Sequence, residues 1–506
     1  MNDTVEAWSR VVTDRVGLPI DVWAVAAVLE SEGLRDHDAR ARFGEAHLFA
    51  LAQAVYRHAV THAPATPPAT LPAETEIPRV RRLARDLGES ALLTLPLVTQ
   101  LACGALFDHS LVAARGLSPR DGAILSAAAA TSGITAGAVA ATVHHEGAEA
   151  RATRDAVRAA RAVTAAFTSG AALALATSGC VALGWVLSPI GRARDLAWLV
   201  AHHLALCAVW VALAALVALG ERLAVAALLA LGALGVAALA ALGMDAHGAV
   251  LTGGALVTLV ALGDLARTTR RFAHTHRREP AAPPKSLDLR VGGALPRAAY
   301  GAGYFALLMV DRLTAWTLDV GGAGARDTGA GVALLTFLLP AALAEHLAAE
   351  IDRTHAAAER RLPAHAVTSL RALARRALGS SVALLVGAGA LNVTLVGGAW
   401  RASHRGALDA ISLRVFVCGA LGCQLLALGA FAALVHLGSA RLTSPARALW
   451  LAVIVDALVA GALGRTLDAS WAPVGLIAGA ATFAFVTLRG ADRIAGSIDH
   501  ARYAAY

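Results

Sequence analysis

The chain has 506 residues, of which 57% are hydrophobic and only 16% are charged. This composition excludes an ordinary soluble enzyme of the same length, because soluble domains carry about 25% charged residues. The formal net charge is +8, but the basic residues are concentrated between apolar stretches, which argues against a nucleic-acid-binding surface.

Residues 1–88 precede the apolar stretches and differ from them in composition. Asp21 is a suitable N-cap for a helix whose apolar residues repeat at helical spacing, and a second helix is predicted over 46–60. The Pro- and Ala-rich stretch 63–73 is typical of an extended linker. We therefore predict a small cytoplasmic helical module that docks on the membrane domain or on a partner. No signal peptide is predicted, because the first residues lack a continuous apolar segment.

Twelve apolar stretches follow, each near the roughly 20 residues that cross about 30 Å of hydrocarbon. The first six lie near 90–112, 121–143, 161–187, 195–220, 222–243 and 246–266, and the last six near 295–320, 329–350, 376–400, 411–437, 446–465 and 470–488. This pattern predicts an all-α membrane protein of about 12 transmembrane helices in two six-helix bundles. The predicted bundles are 89–266 and 291–488, joined by a basic linker, 267–290, and followed by a tail, 489–506.

Basic residues predict how the chain crosses the membrane. They cluster at 151–161, 267–290 and 353–376 and in the C-terminal tail, and such clusters mark cytoplasmic loops. We therefore expect a multi-pass protein of the cytoplasmic (inner) membrane with both termini in the cytoplasm. Arg192, Arg194, Arg401 and Arg405 run against this pattern, because the same count places their loops outside.

Two stretches differ in the side chains that they present. Residues 126–141 are almost all Ala, Gly, Ser and Thr, which allow another helix to approach closely, so this helix is predicted to lie in the interior. Residues 223–242 are a Leu and Ala repeat without polar side chains, which suits a helix that faces lipid.

The seventh stretch carries Asp311 and Arg312 near its middle. An ionisable group costs about 3 kcal/mol at the centre of a membrane, so such residues usually have a partner or a function. Adjacent residues diverge by about 100° around a helix, so this pair needs partners on other helices. The candidates are Asp264, Arg414 and Asp456. Both a purely structural ion-pair network and a transport site fit this pattern.

The eighth stretch contains Pro340. Proline lacks an N–H group, so it should kink the helix and free a backbone carbonyl near mid-membrane. Glu345 and His346 are expected near the cytoplasmic mouth, and Glu350 and Asp352 at the interface, where ordinary interfacial charge is the alternative interpretation.

Other reactive residues do not form a recognisable catalytic or metal site. His202 and His203 can relay protons or bind sugar hydroxyls, but neighbouring residues point to different faces, and buried structural histidines are the favoured interpretation. His274 and His276 lack a third ligand. The five cysteines are expected to act as small core hydrophobes. Phosphate-loop, zinc-protease and serine-hydrolase motifs are absent from the sequence. We expect no enzyme activity, no cofactor and no metal.

The segment from Tyr304 to Trp316, followed by Pro340 and then by Glu350 and Asp352, resembles a known family. It is similar to the second half of the membrane subunit of Pel-type exopolysaccharide export, in the multidrug/oligosaccharidyl-lipid/polysaccharide (MOP) flippase superfamily. There, a Tyr-rich span with Asp-Lys/Arg and a nearby Trp precedes a Pro-containing span that ends in Glu-x-Asp. The matching residues are Tyr304, Asp311, Arg312, Trp316, Pro340, Glu350 and Asp352.

This resemblance implies a transporter that exports a polysaccharide or glycan-type substrate by alternating access. The two bundles would rock around a central cavity. The substrate pathway or its gate would then include the matching residues and Glu345. Membrane lipid and a cytoplasmic glycosyltransferase, or other polysaccharide-synthesis proteins, are the implied partners, and nucleic acid is not.

Two other functions compete with transport. A non-transporting membrane scaffold would use residues 1–88 to bind a partner, and its bundle would be closed and have a dry centre. An intramembrane lipid-modifying enzyme would need converging His and acidic side chains near one interface, for which His202, His203 and Glu345 are candidates.

Overall fold

The structure, a computed structural model, describes most of the chain. The described residues are 4–16, 19, 21–62, 81, 83–84, 88, 119–153, 156–188, 191–275, 291–319, 323–361, 367–403, 409–438 and 443–496. These residues are overwhelmingly helical, and no strand occurs among them. The all-α prediction is therefore confirmed. The predicted first span near 90–112 and the predicted linker over 63–73 lie outside the described residues.

Four short helices come first along the chain. They are α1 (Val5–Val16), α2 (Val22–Ser31), α3 (Asp36–Phe43) and α4 (Leu48–Thr61). Asp21 caps α2 as predicted, since its carboxylate accepts a hydrogen bond from the backbone N–H of Ala24 at 2.8 Å. Apolar residues of the four helices, among them Trp8, Leu29 and Leu51, share one small core. The apolar periodicity predicts neither α1 nor α3, and α3 is polar along most of its length.

Eleven long helices follow. They are α5 (Pro119–Thr153), α6 (Ala156–Leu187), α7 (Leu196–Ala218), α8 (Arg222–Ala241), α9 (Ala246–Thr275), α10 (Val291–Leu318), α11 (Ala323–Arg361), α12 (Val367–Ser403), α13 (Ala410–Gly438), α14 (Thr443–Thr466) and α15 (Val474–Gly496). They coincide with the second to twelfth predicted spans. Several continue past the apolar stretch, because hydropathy marks only the part of a helix suited to lipid.

Ten helices in the described part of the chain are long and apolar enough to cross a membrane, and α10 is not one of them. Its 28 residues are sufficient in length. Asp311, Arg312 and two tyrosines lower its mean hydropathy. The helix with the candidate site is thus also the least suited to contact with lipid.

The described residues form two compact units. One contains those of 1–82, 349–380 and 492–506, and the other those of 83–348 and 381–491. We call α5 to α9 the first half and α10 to α15 the second half. The part of each half that lies in the second unit contributes an apolar core. Leu213, Leu216 and Leu228 lie in the first of these cores, and Leu426 and Phe483 in the second.

The predicted interior and lipid-facing helices differ in burial as expected. In the most apolar window of α5, 56% of the residues are buried, against 22% in α8. Small side chains therefore mark the helix that packs inside the protein, and the Leu and Ala repeat marks one that is largely uncovered.

The first and second halves meet where α5 packs against α10. At one end of this contact Ala130 packs against Trp316. At the other end the guanidinium of Arg297 lies 3.9 Å from the carboxylate of Glu146, which is buried. The contact therefore joins the halves over most of the length of both helices.

Two glycines allow the backbones of α5 and α10 to touch. A Cβ atom on residue 137 would lie 2.7 Å from the carbonyl oxygen of Gly301, and one on residue 301 would overlap the carbonyl of Gly137. Phe305, one turn from Gly301, packs onto the same surface of α5. The crossing therefore requires glycine on both helices.

Replacement of Gly301 by alanine should destabilise the protein. The added methyl group meets backbone atoms that cannot rotate away, and such overpacking costs about 1–3 kcal/mol. The matched control is Gly179→Ala in α6, where a methyl group meets nothing within 4 Å. Thermal unfolding in detergent should show a lower Tm for G301A and an unchanged or higher Tm for G179A. Equal melting temperatures would contradict the proposed close contact.

Candidate functional site

The polar centre of the second half lies between α10 and α14. Asp311 is 3% exposed, and its carboxylate accepts a hydrogen bond from the backbone N–H of Arg312 at 2.8 Å. Asp456 is fully buried, and neither of its carboxylate oxygens has a hydrogen-bond partner among the described residues. The two carboxyl groups, called here the carboxyl pair, are close enough to interact electrostatically. Gly475 and Gly479 of α15 pack against Asp456.

Two ionised carboxylates at this place would be costly. Burial of an unpaired charge costs several kcal/mol, and a second negative charge nearby adds repulsion. A proton or a metal cation bound by the carboxyl pair would remove this cost. The arrangement is therefore chemically suited to reversible binding of a small cation.

The charge of Arg312 acts on Asp311, but its guanidinium is bound to another helix. Its guanidinium donates a hydrogen bond to the backbone carbonyl of Ala330 in α11 at 3.1 Å. The predicted divergence of Asp311 and Arg312 thus agrees with the structure. Of the three partners considered from the sequence, Asp456 lies beside Asp311, whereas Asp264 pairs with Arg267 at 2.6 Å near the end of α9.

The end of α10 is tied to the start of α11 by residues that the sequence did not single out. The indole N–H of Trp316 donates to the carboxylate of Asp327 at 3.0 Å. Arg326, only 5% exposed, forms an ion pair with Asp319 at 2.6 Å. Trp316 is thus a buried anchor of this helix connection. The density of charged residues between two apolar stretches was the signal available in the sequence.

Tyr304 and Glu345 lie in one region of α10 and α11. The ring of Tyr304 packs 6.3 Å from that of Phe337 in α11, between centroids, and lies against the apolar core. Glu345 is exposed and is an electrostatic neighbour of Tyr300 and Tyr304. An exposed carboxylate thus lies near two tyrosines that pack against the apolar core of the second half.

Pro340 lies inside α11, which is helical on both sides of it. A proline deprives the carbonyl four residues earlier of its helical hydrogen bond, and that carbonyl belongs to Thr336. The side-chain amide of Asn392 in α12 donates to it at 2.7 Å, and that of Gln424 in α13 at 3.0 Å. We call these two residues the amide clamp. Gly389 in α12 lies against the Gln424 amide, where a side chain would collide.

Replacement of Asn392 by leucine should destabilise the protein because it removes a donor from a buried carbonyl. The expected loss is about 0.5–1.5 kcal/mol in the free energy of unfolding, because Gln424 still donates to the same carbonyl. The loss should be smaller when Pro340→Ala is also present, because alanine at 340 supplies the missing backbone N–H.

The four proteins of this double-mutant cycle can be compared by unfolding in mixed micelles. The coupling free energy is calculated from the stabilities of the unmodified chain, Asn392→Leu, Pro340→Ala and the double variant. Additive effects would show that Asn392 stabilises the structure by some means other than the proline-freed carbonyl.

Glu350 and Asp352 lie in the compact unit that contains 349–380. The carboxylate of Glu350 pairs with Arg353 one turn along α11 at 3.0 Å, and both side chains are more than a third exposed. Asp352 is exposed. Exposed pairs of this kind contribute about 0–1 kcal/mol, so this pair adds little to stability. The place of Glu350 in the substrate pathway or its gate stays a prediction.

Arg414 was the third candidate partner of Asp311, and the structure places it elsewhere. Its guanidinium donates to the carboxylate of Asp468 at 3.1 Å and to the hydroxyl of Ser470 at 2.7 Å. It also lies 4.6 Å from the ring centroid of Trp471. The long side chain leaves the apolar part of α13 and reaches the loop between α14 and α15.

The carboxylate of Asp468 accepts hydrogen bonds from the Ser470 hydroxyl and from the Ser470 backbone N–H, the latter at 2.8 Å. These bonds, together with Arg414, lower the pKa of Asp468 below its ordinary value. A carboxyl group with a lowered folded-state pKa stabilises the fold above its unfolded pKa and loses that effect as pH falls through the folded pKa.

Replacement of Asp468 by asparagine should therefore lower the Tm near neutral pH. The difference from the unmodified protein should shrink below about pH 4, where the aspartate itself becomes protonated. Melting curves over this pH range measure the effect, and Asp492→Asn, at a side chain that is 63% exposed, is the control. A Tm difference independent of pH would contradict this role.

The histidines of α7 face different partners. His203 is fully buried between two threonine hydroxyls, with Nδ1 3.0 Å from Thr131 and Nε2 3.1 Å from Thr177. This agrees with the structural interpretation of that residue. His202 is also fully buried and hydrogen bonds to His247 of α9. The sequence did not indicate His247 because it lies 45 residues from His202.

The helical arrangement is similar to that of solved membrane transporters. A eukaryotic MATE transporter aligns with a TM-score of 0.54 at 15% identity, covering 84% of this chain and 99% of that one. This chain has the MATE fold. The straight conformation of a MATE protein aligns with a TM-score of 0.53 at 14% identity, covering 83% and 97% of the two chains. An inward-facing multidrug resistance MATE family transporter of the MOP superfamily gives 0.51 at 12%, covering 81% and 99%.

Sequence comparison adds no closer relative. No protein-family model and no curated protein sequence matches the chain. The structural matches show the fold alone, and this fold agrees with the one that the sequence resemblance implies. The more specific resemblance to the Pel-type subunit stays a prediction.

Proposed function

We propose that the protein is a secondary transporter that works by alternating access in the cytoplasmic membrane, with both termini in the cytoplasm. The MATE fold, the ten apolar helices and the distribution of basic loops support this function. The observation that carries the proposal is the buried carboxyl pair, Asp311 and Asp456. A scaffold has no need of a fully buried carboxylate without hydrogen-bond partners among the described residues.

The carboxyl pair would bind the coupling cation. While a proton or metal cation is bound, the centre of the second half is close to neutral and can stay packed. Release of the cation leaves negative charge among α10, α14 and α15, and this charge is stabilised only when water reaches it. Loss of the cation therefore favours an open state, which links cation movement to the conformational change.

Pro340 provides a place where α11 can bend. Since the carbonyl of Thr336 is held by the amide clamp rather than by its own helix, bending at this point breaks no helical hydrogen bond there. Movement of α11 would carry Glu345 with it. A change of charge at the carboxyl pair would therefore be followed by a movement of the neighbouring helix α11.

The cargo we propose is a glycan, as the Pel-type resemblance implies. Tyr304 and Tyr300, beside Glu345, offer aromatic surface and a hydrogen-bonding carboxylate, which suits a sugar. A cytoplasmic glycosyltransferase would then be a partner. The alternative cargo is an amphiphilic organic cation, which the acidic character of the carboxyl pair favours and which agrees with the multidrug resistance function named for one protein of this fold.

Transport by purified protein in liposomes tests the proposal. A labelled lipid-linked oligosaccharide and the lipophilic dye ethidium serve as probes, each under an imposed pH or sodium gradient. Asp456→Asn and Asp311→Asn should each reduce gradient-driven movement by about tenfold or more, in line with usual coupling free energies. Asp264→Asn, at the partly exposed pair near the end of α9, should leave it unchanged.

The possible results separate the candidate functions. Unchanged transport in folded D456N and D311N would contradict the coupling role of the carboxyl pair. If the unmodified protein moved neither probe under either gradient, the scaffold function would gain support. Movement of only one probe would decide between the two cargo classes.

A further inference from the structure

We propose that His202 and His247 form a second cation site, which binds one proton and exchanges it with the surface through Asp121. The three residues are called here the histidine chain. They belong to the first half of the protein, on α7, α9 and α5, and none of them takes part in the carboxyl pair. Proton binding at this place is a property beyond the proposed function, although its role in coupling rests on that function.

The three side chains are hydrogen bonded in series. Nε2 of His202 lies 2.8 Å from Nδ1 of His247, and Nε2 of His247 lies 3.3 Å from the carboxylate of Asp121. The exposure of the side chains falls along the series, from 38% for Asp121 to 12% for His247, and His202 is fully buried. The series therefore leads from a partly exposed carboxylate to a buried imidazole.

Imidazole chemistry makes this series a proton path. In its neutral form one ring nitrogen of each histidine donates and the other accepts. If His247 donates to Asp121, it accepts from His202, and Nδ1 of His202 is left as an acceptor without a hydrogen-bond partner among the described residues. In the opposite tautomers the proton of each bond belongs to the other group. In this second arrangement Asp121 is neutral and Nδ1 of His202 carries a hydrogen, so the series holds one proton more than in the first. Uptake of a single proton, with a shift along each bond, therefore converts the first arrangement into the second.

An added proton would be held by the pair of rings. It comes from water by way of Asp121, and it converts the rings into one imidazole and one imidazolium joined by a hydrogen bond. Asp121 then faces the positive charge directly. Departure of the proton by the same way restores the two neutral rings.

Both acidic and basic side chains lie near the histidine chain. Among the described residues at or next to the first two turns of α5, α7 and α9, the other ionisable groups are Arg120, Asp121, Arg192, Arg194, Asp195, His203 and Asp245. Arg120 and Arg194 both pair with Asp195. Asp245 is an electrostatic neighbour of His202, and His203 faces threonines. On α6, the hydroxyl of Thr177 contacts His203. Glu221 and Arg222, at the start of α8, lie at the opposite ends of α7 and α9.

The position of the histidine chain gives it a distinct role in transport. The histidine chain lies near the first residues of α5, α7 and α9. The proposed topology places these helix ends outside the cytoplasm. The histidine chain would then respond to the external pH, whereas the carboxyl pair lies deep in the second half. Two proton-binding sites of this kind would allow the first half to sense the proton supply.

Trp198 supplies a direct measurement of protonation. Its ring stacks on that of His247, with the centroids 4.8 Å apart and an angle of 14° between the planes. An imidazolium in this position quenches indole fluorescence more strongly than neutral imidazole does. The difference in fluorescence between the unmodified full-length protein and Trp198→Phe, both in lipid nanodiscs, isolates this residue from the other tryptophans.

The experiment is a titration from roughly pH 5 to 8, the range in which histidine changes charge. Acidification should lower the emission of Trp198 by about twofold in a single step. His247→Gln should abolish this step. Asp121→Asn, a conservative change at a partly exposed side chain, should move its midpoint to lower pH by roughly half a unit or more because it removes the charge that stabilises the imidazolium.

Further variants make the result decisive. His203→Gln, next to His202 but facing Thr131 and Thr177, should keep the step and its midpoint. A step that persists in His247→Gln, or one that Asp121→Asn does not move, would overturn the proposal. So would the absence of any Trp198-dependent step in the unmodified protein.

The titration and the transport assay fail independently. Asp456→Asn should keep the fluorescence step although it lowers transport. If the step is present but no probe is transported, the histidine chain binds a proton and its role in coupling is wrong. If transport depends on Asp456 but the step is absent, the proposed function stands without a second proton site.

Discussion

The backbone contact between α5 and α10 is the constraint on which the rest of the second compact unit depends. Apolar side chains gain little from leaving lipid for another apolar surface, so close van der Waals packing must supply the attraction between helices. Gly137 and Gly301 allow this approach. Because α10 is held against the first half along this surface, Asp311 is turned toward α14 and Arg312 toward α11. The position of the carboxyl pair thus follows from a contact made by residues without side chains.

Buried polar groups in the two halves are satisfied to different degrees. His203 has a hydroxyl at each ring nitrogen, and the freed carbonyl of Thr336 has two amide donors. The carboxylate of Asp456 has no such donor among the described residues. Full satisfaction fixes a structure, whereas an unsatisfied charged group requires a change of protonation, a ligand or water. This difference separates groups that stabilise the bundle from groups that are suited to function.

Sequence patterns predicted what depends on neighbours along the chain, such as the long helices, the cap at Asp21, the interior position of α5 and the freed carbonyl before Pro340. They did not predict the partners that meet through folding. Asn392 and Gln424 lie 56 and 88 residues from Thr336, and periodicity contains no information on which helices touch. Arg414 was misplaced because its position in an apolar stretch gives no sign that its long side chain extends to Asp468.

The amide clamp also has a consequence for the history of the sequence. A proline at position 340 without Asn392 or Gln424 leaves a buried carbonyl without its donors, whereas either amide beside an ordinary helix costs little. Substitutions that lead to the present arrangement are therefore expected in a fixed order, with an amide donor first and the proline afterwards. Ancestral forms of the chain would have had a straight α11 with an amide donor already in place on α12 or α13 before the proline appeared.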